Sequence, residues 1–290
     1  MSLLEAIIMG LIQGLTEFLP VSSSGHLAIF KNVFGINTET GILFDVLLHV
    51  GTLAAIFIAY WKDIKELIVN GFGILGCWIV NALIWLGNLF VKEKKPYKPV
   101  LNTPYRRFVM MVIISTIPTG ILGIVLEDVI GSAGEFLLIP GLCLVITACV
   151  LYIADKLPGG SKSPQTATYT DAVKIGVVQG VATLPGISRS GSTITACLAC
   201  GFDKTFAVKY SFIMSIPAIM GAAVLELKDG LNMVASNQLM YYGIGTVVAG
   251  VVGYICIKTV LKMVQNNKFK YFAFYCFIVG MASVVGYFVL

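Results

Sequence analysis

Glu17, Ser23, His26 and Arg189 are the side chains of this chain whose types and spacing can do chemistry. Gln13-x-x-x-Glu17 places two polar side chains four apart, on one face of a helix. The stretch Phe18-Leu-Pro-Val-Ser-Ser-Ser-Gly-His26 follows. A second polar stretch, Thr183-Leu-Pro-Gly-Ile-Ser-Arg-Ser-Gly-Ser-Thr193, supplies a guanidinium, whose planar fork suits bidentate binding of phosphate. Ser23 and His26 are three residues apart, so either the imidazole or Glu17 can activate the Ser23 hydroxyl toward phosphorus. Glu17 can alternatively hold a divalent cation together with Gln13, which would bridge phosphate oxygens and neutralise their charge. Spacing alone leaves these roles open. Turns rich in Ser and Gly that open helices aim backbone N–H groups at an anion, so Ser22, Ser24, Gly25, Ser188, Ser190 and Thr193 are the expected substrate-binding positions.

Each of these residues has a purely structural alternative. Glu17 and Arg189 can form an ion pair, His26 can bond backbone at a helix terminus, and Ser23 can bond a neighbouring helix. An ionisable group at membrane depth is costly, however, and that weighs toward function for Glu17 and Arg189. Asp45 and His49 share a helix face and can line the same cavity, but they stand outside the expected catalytic set. Lys31 and Lys174 are expected at the membrane interface.

The elements that must position these groups are membrane helices. The chain has 290 residues, 57% hydrophobic and only 12% charged, with mean hydropathy +0.89, far from the usage of water-soluble domains. Apolar runs of a length that can cross a bilayer occur at 43–60, 71–91, 107–126, 136–154, 209–225, 240–257 and 271–290. The first thirty residues do not read as a cleaved signal, because Glu5 replaces a basic start and Glu17 and Pro20 interrupt the apolar run. The seven cysteines lie almost wholly in apolar segments, where packing outweighs redox chemistry, so no disulfide is expected.

A repeat lies in the register. Residues 6–26 align without gaps on 172–192 at an offset of 166, with seven identities in twenty-one positions. This composition produces about one or two by chance. The same offset carries 43–60 onto 209–225, and each half then offers two further spans. If 71–91 does not cross, each half has three spans, and an odd number turns the second copy upside down.

The expected fold is therefore an all-α, polytopic, inverted-topology repeat of about six transmembrane helices plus two re-entrant helix-loop-helix hairpins. Residues 1–155 form the first repeat: hairpin 1–30, spans 43–60, 107–126 and 136–154, and an inserted segment 61–106. Residues 172–290 form the second: hairpin 172–201 and spans 209–225, 240–257 and 271–290. The formal charge of +5 comes largely from basic loops, and the stretches 61–107, 155–174 and 258–270 are expected on the cytoplasmic side. The stretch 127–135, with Glu127, Asp128 and Glu135, is expected outside, as are both termini. Nucleic-acid binding explains these basic loops less well. The two hairpins would dip from opposite faces and meet near the midplane, where inverted-repeat proteins place ligand sites.

At these residues a resemblance becomes visible. Gln13 to His26 and Pro185-Gly-Ile-Ser-Arg-Ser-Gly-Ser-Thr193, extended by Leu43-Phe-Asp-Val-Leu-Leu-His-Val-Gly-Thr52, resemble the signatures of the undecaprenyl pyrophosphate phosphatase family of bacterial inner-membrane enzymes. The resemblance implies release of the terminal phosphate from the C55 lipid pyrophosphate, which recycles the monophosphate carrier for cell-wall synthesis. It also implies a multi-pass protein of the bacterial cell membrane, an active site open to the external face, dependence on a divalent cation (magnesium or calcium) and a link to bacitracin resistance. By position, the family's acidic motif falls on Gln13 and Glu17, its candidate nucleophile on Ser23, its essential histidine on His26 and its phosphate-binding arginine on Arg189. Gln at position 13 leaves one carboxylate, not two, for a metal. The expected partners are a polyprenyl pyrophosphate lipid and the membrane, with a homodimer as a further expectation and no nucleic acid. A lipid-phosphate flippase is the competing reading, favoured by the inverted repeat. An acid-phosphatase-like lipid phosphatase fails on inventory, since that chemistry needs a second histidine after the arginine and this chain has only His26 and His49.

Overall fold

The computed structural model describes residues 1–35, 41–134, 136–230 and 236–289, with side chains except at 41–42, 225–230 and 236–237. Glu135, one of the three acids of the expected external loop, lies outside the described residues. Within them the chain is helical: α1 (Leu3–Phe18), α2 (Ser23–Phe34), α3 (Gly41–Ala59), α4 (Trp61–Asn88), α5 (Pro104–Val125), α6 (Glu127–Ala133), α7 (Leu138–Lys156), α8 (Tyr169–Val181), α9 (Arg189–Ala199), α10 (Lys204–Gly230), α11 (Ser236–Gln265) and α12 (Phe269–Val289). Six of these, α4, α5, α7, α10, α11 and α12, are long and apolar enough to cross a membrane, and α3 is a shorter apolar helix over Leu43–Ala59.

Local sequence explains where the site-bearing helices start. Ser2 caps α1 in a reciprocal box: its hydroxyl accepts the Glu5 N–H at 3.2 Å, and the Glu5 carboxylate accepts the Ser2 N–H at 2.8 Å. Thr168 and Asp171 make the same box on α8, 166 residues further on. Here burial tends to raise the Asp171 carboxyl, but hydrogen bonds from Thr168 and the Lys162 ammonium outweigh it and hold the group below its ordinary range.

Helix packing follows small residues. Gly10 of α1 lies so close to α11 that a methyl group there would meet the Gly245 carbonyl oxygen at 2.5 Å, and one at Gly14 would meet that of Ala249 at 2.8 Å. The corresponding glycines of α8 face α5, where Gly176 abuts Ser115 and Gly180 abuts Leu122. Each Gly-x-x-x-Gly lets two backbones approach where lipid offers no hydrophobic gain from association. Across α7 and α12 the contact is reciprocal: a methyl at Gly141 would meet the Gly280 carbonyl oxygen at 3.0 Å, and one at Gly280 would meet that of Gly141 at 2.7 Å. Gly280→Val is therefore expected to cost about 1–3 kcal/mol by overpacking against backbone. Gly120→Ala, at a helical glycine with open space around it, should be neutral or slightly stabilising. Thermal unfolding of the two variants in one detergent compares them.

The loop-bearing ends sort into two groups. At one end Asp63 pairs with Lys209 at 2.8 Å, Lys204 reaches Asn267 at 2.6 Å, the Lys270 N–H reaches Asp155 at 3.1 Å and Arg107 bonds the Gln165 carbonyl. The basic stretches 61–107, 155–174 and 258–270 thus share one end of the bundle. At the other, Asn32 donates to the Gly134 carbonyl at 3.2 Å, Ser283 donates to that of Leu137 at 2.8 Å, and Lys31 pairs with Asp45. Helices α8 and α9 return to where they began: Lys162 binds Asp171 at the start of α8, and its backbone pairs with Gly201 and Asp203 just beyond α9.

Candidate functional site

Helix α1 stops at Leu19-Pro20, since proline has no N–H to continue the ladder. The chain then turns through Ser22, whose φ of 72° is an uncommon conformation for a residue with a side chain. That turn makes Ser22 the cap of α2, its hydroxyl accepting the Gly25 N–H at 3.3 Å, and it brings Ser23 back over α1. The second loop reaches the same end by another route. Gly186, with φ of 97°, carries the unusual conformation there, and Ser188 caps α9 by accepting the Gly191 N–H at 3.1 Å. Thr147 of α7 pins this loop, donating to the Gly186 carbonyl at 2.9 Å and accepting the Ser188 N–H at 3.0 Å.

The loops interlock. A methyl on Gly25 would meet the Gly186 Cα at 2.7 Å, and Ser190 donates to the Leu19 carbonyl at 3.4 Å. The N-termini of α2 and α9 therefore open at one place, each with the partial positive charge of unpaired N–H groups.

Glu17 sits at the centre, its side chain only 2% exposed. One carboxylate oxygen is paired with Arg189. The other accepts from Gln13 Nε2 at 2.9 Å and from Ser23 Oγ at 2.6 Å, and lies 3.7 Å from His49 Nε2. Of the two bases that spacing allowed for Ser23, it is the carboxylate that accepts its hydrogen bond. Both nitrogens of His26 are engaged elsewhere. Its Nδ1 faces the Ser22 carbonyl at 2.7 Å and so carries hydrogen, which leaves Nε2 to accept from the Tyr275 hydroxyl at 2.9 Å in the neutral ring. The His26 ring also stacks on Tyr275, with centroids 5.5 Å apart and planes 4° apart. The Thr193 hydroxyl is buried between α9 and α10, donating to the Arg189 carbonyl at 2.8 Å and bonding Ser211. Ser24 and Ser190 each lie 3.4 Å from the hydroxyl of their capping serine.

Gln13 Oε1 is buried with no hydrogen-bond partner among the described residues, and so is Oε1 of the corresponding Gln179. The unpaired oxygen belongs to the shared helix geometry, and the carboxylate beside it distinguishes the first loop.

Two neighbours were not part of the expected set. His49 bonds the Asp45 carbonyl through Nδ1 at 2.8 Å, which directs Nε2 toward Glu17. The Asp45–His49 spacing gave a signal for it. Tyr275 gave none, because it stands 249 residues from His26 among other apolar-helix aromatics.

Comparison with known proteins places this geometry in a lineage. Residues 6–282 match a family model described as bacitracin resistance protein BacA. Curated proteins called undecaprenyl-diphosphatase align along nearly their whole length: that of Methanosphaera stadtmanae is 39% identical over 285 residues, covering 98% of each chain. The one from Halothermothrix orenii is 39% identical over 287 residues, again 98% of each, and that of Desulforapulum autotrophicum 39% over 291, covering both chains fully.

Proposed function

This chain belongs to the bacitracin resistance protein BacA family, and from that membership and the loop geometry we infer that it is an undecaprenyl-diphosphatase, a multi-pass membrane enzyme. It hydrolyses undecaprenyl diphosphate to undecaprenyl phosphate and inorganic phosphate. The observation that carries the reading is the junction of a serine hydroxyl, a buried carboxylate and an arginine where two helix N-termini open.

In the reaction proposed, the terminal phosphate enters between the two N-termini, and Arg189 shifts part of its pairing from Glu17 to phosphate oxygens. Ser23 Oγ attacks the terminal phosphorus and passes its proton to Glu17. The Oγ–P bond forms as the bond from phosphorus to the bridging oxygen breaks, and undecaprenyl phosphate leaves with that electron pair. Water, deprotonated by a Glu17 that has released the first proton, then attacks the phosphorus of the phosphoserine; as the Oγ–P bond breaks, Glu17 returns the proton to Ser23 Oγ and inorganic phosphate departs. His26, held by Ser22 and Tyr275, orients the first turn of α2, and its ring lies three residues from the nucleophile. His49 adds a further group toward Glu17 while the negative charge of substrate is nearby.

A divalent cation, magnesium or calcium, fits this reading as half of a protein site. Among the described residues no cluster of three or more His, Cys, Asp or Glu side chains is present. Glu17 and the unpaired Gln13 Oε1 would hold the ion, with substrate phosphate oxygens and water as its remaining ligands. When bound it would neutralise phosphate charge.

The halves 1–155 and 172–290 are read as inverted copies. The paired capping boxes, the paired glycine motifs and the reciprocal Gly141–Gly280 contact support this. On that reading α1–α2 and α8–α9 re-enter the bilayer from opposite faces, the lysine-rich end is cytoplasmic and the site opens externally.

Purified protein in detergent is expected to release phosphate from undecaprenyl diphosphate, to lose that activity in EDTA and to regain it with magnesium or calcium. Micelles have no leaflets to exchange lipid between, so the measurement is independent of flipping. No release under any of these conditions would overturn the assignment.

A further inference from the structure

All three tryptophans of the chain, Trp61, Trp78 and Trp85, lie on α4, and they are 57%, 51% and 53% exposed. Around them the helix is apolar, with Phe72, Leu75 and Ile79 also exposed. One stripe differs. Asn70, Asn81 and Asn88 are spaced by eleven and seven residues, three and two helical turns, and so share a face.

That face is covered by the chain itself. After α4 the backbone runs back along it through residues 89–103. Asn88 grips the Lys95 peptide, donating to its carbonyl at 2.9 Å and accepting its N–H at 2.8 Å. Asn81 grips the Lys98 peptide in the same way at 2.9 and 2.8 Å, and Thr103 donates to Asn70 at 3.0 Å. The returning strap carries Lys92, Lys94, Lys95 and Lys98, all exposed, and delivers Tyr105 to Asp63 at the beginning of α4. Helix and strap thus start and finish at the basic end of the bundle.

A crossing orientation would put this strap in hydrocarbon, with non-helical, unsheeted backbone and four lysines facing lipid, an arrangement that bilayers do not tolerate. A placement at the membrane surface satisfies both faces. We propose that α4 lies flat in the membrane interface, its apolar side with Phe72, Leu75 and Ile79 dipping into the headgroup and acyl boundary and its tryptophans at that depth, with the strap on the aqueous side and its lysines on anionic lipid headgroups. Tryptophan favours that depth, and clustered lysines are drawn to an anionic leaflet. The unit is a membrane-surface platform next to the catalytic bundle, and its assignment does not depend on the reaction.

Because every tryptophan is on α4, tryptophan emission, excited selectively over the twelve tyrosines, reports α4 alone. The protein is reconstituted in vesicles of phosphatidylglycerol and phosphatidylcholine containing lipids brominated near the headgroup or near the chain end. Headgroup-proximal bromines are expected to quench most strongly. Replacing Lys92, Lys94, Lys95 and Lys98 with glutamine should at least double quenching by aqueous acrylamide in phosphatidylglycerol vesicles and leave phosphate release unchanged. Strongest quenching from the chain ends would show a crossing helix, and emission quenched by acrylamide alone a platform in water. Protection from both quenchers would show a face covered by a second copy of the chain. Any of these three, or a glutamine variant with unaltered acrylamide quenching, overturns the proposal.

Discussion

Replacing Ser23 with alanine is expected to lower kcat for phosphate release by on the order of 10³-fold or more while leaving KM near its starting value, as follows when a nucleophile and not a binding group is removed. The Ser23 hydroxyl donates to Glu17 at 2.6 Å, and among the described residues that carboxylate has no other hydroxyl partner. Alanine leaves Glu17 its bonds to Gln13 and Arg189, so the buried charge stays compensated and the fold should persist. On the proposed mechanism, only the attacking group is lost. Steady-state phosphate release by the purified variant, with its melting temperature as the control for folding, makes the measurement. Near-normal turnover would assign attack to a water activated by Glu17 and remove Ser23 from the chemistry.

Arg189→Ala is expected to do two kinds of damage, which a second substitution separates. It strands a carboxylate whose side chain is 2% exposed, and an uncompensated buried charge costs about 3–5 kcal/mol. It also removes the fork that would stabilise the transferring phosphoryl group, where an arginine is worth about 10³–10⁵ in rate. In Arg189→Ala/Glu17→Gln the stranded charge is gone, so melting temperature should recover most of the loss while turnover stays abolished. If turnover returned together with stability, the pair would be a structural ion pair and nothing more. Arg189→Lys should keep the charge compensation but lose bidentate geometry, giving a stable protein of low activity.

The pairing of Glu17 with Arg189 bears on how the resting enzyme avoids an unprofitable charge. With no substrate bound, the guanidinium and the carboxylate compensate each other across the two loops. Arg189 remains 20% exposed at its side chain, against 2% for Glu17. In the reaction proposed, a phosphate approaching between the helix N-termini would meet the arginine first, and as Arg189 turned to it Glu17 would be left the stronger base for Ser23. The ion pair expected as a structural alternative and the functional reading thus describe the same contact in two states of the site.

What the sequence by itself determined was local. Polar side chains four apart share a helix face, and a turn rich in serine and glycine opens a helix. Each is settled within a turn or two of backbone, which is why an offset of 166 could reveal both loops and the helices that carry them. The apolar helices α4, α5, α7, α10, α11 and α12, and the shorter α3, were legible for the same reason, since apolar length is a property of a segment.

Tertiary structure decided which groups face one another. Spacing made His26 and Glu17 equal candidates to activate Ser23, but the unusual backbone at Ser22 turns Ser23 back onto α1 and leaves His26 Nδ1 against the Ser22 carbonyl. His49 enters from α3 and Tyr275 from α12, by helix crossings that no periodicity along one segment encodes. The apolar run 71–91 reads as long enough to span, and only the tertiary structure shows the 89–103 strap returning along α4, so that helix and strap together begin and end at one end of the bundle. The direction of a side chain across a contact depends on how two backbones approach, and that is a property of the packed chain.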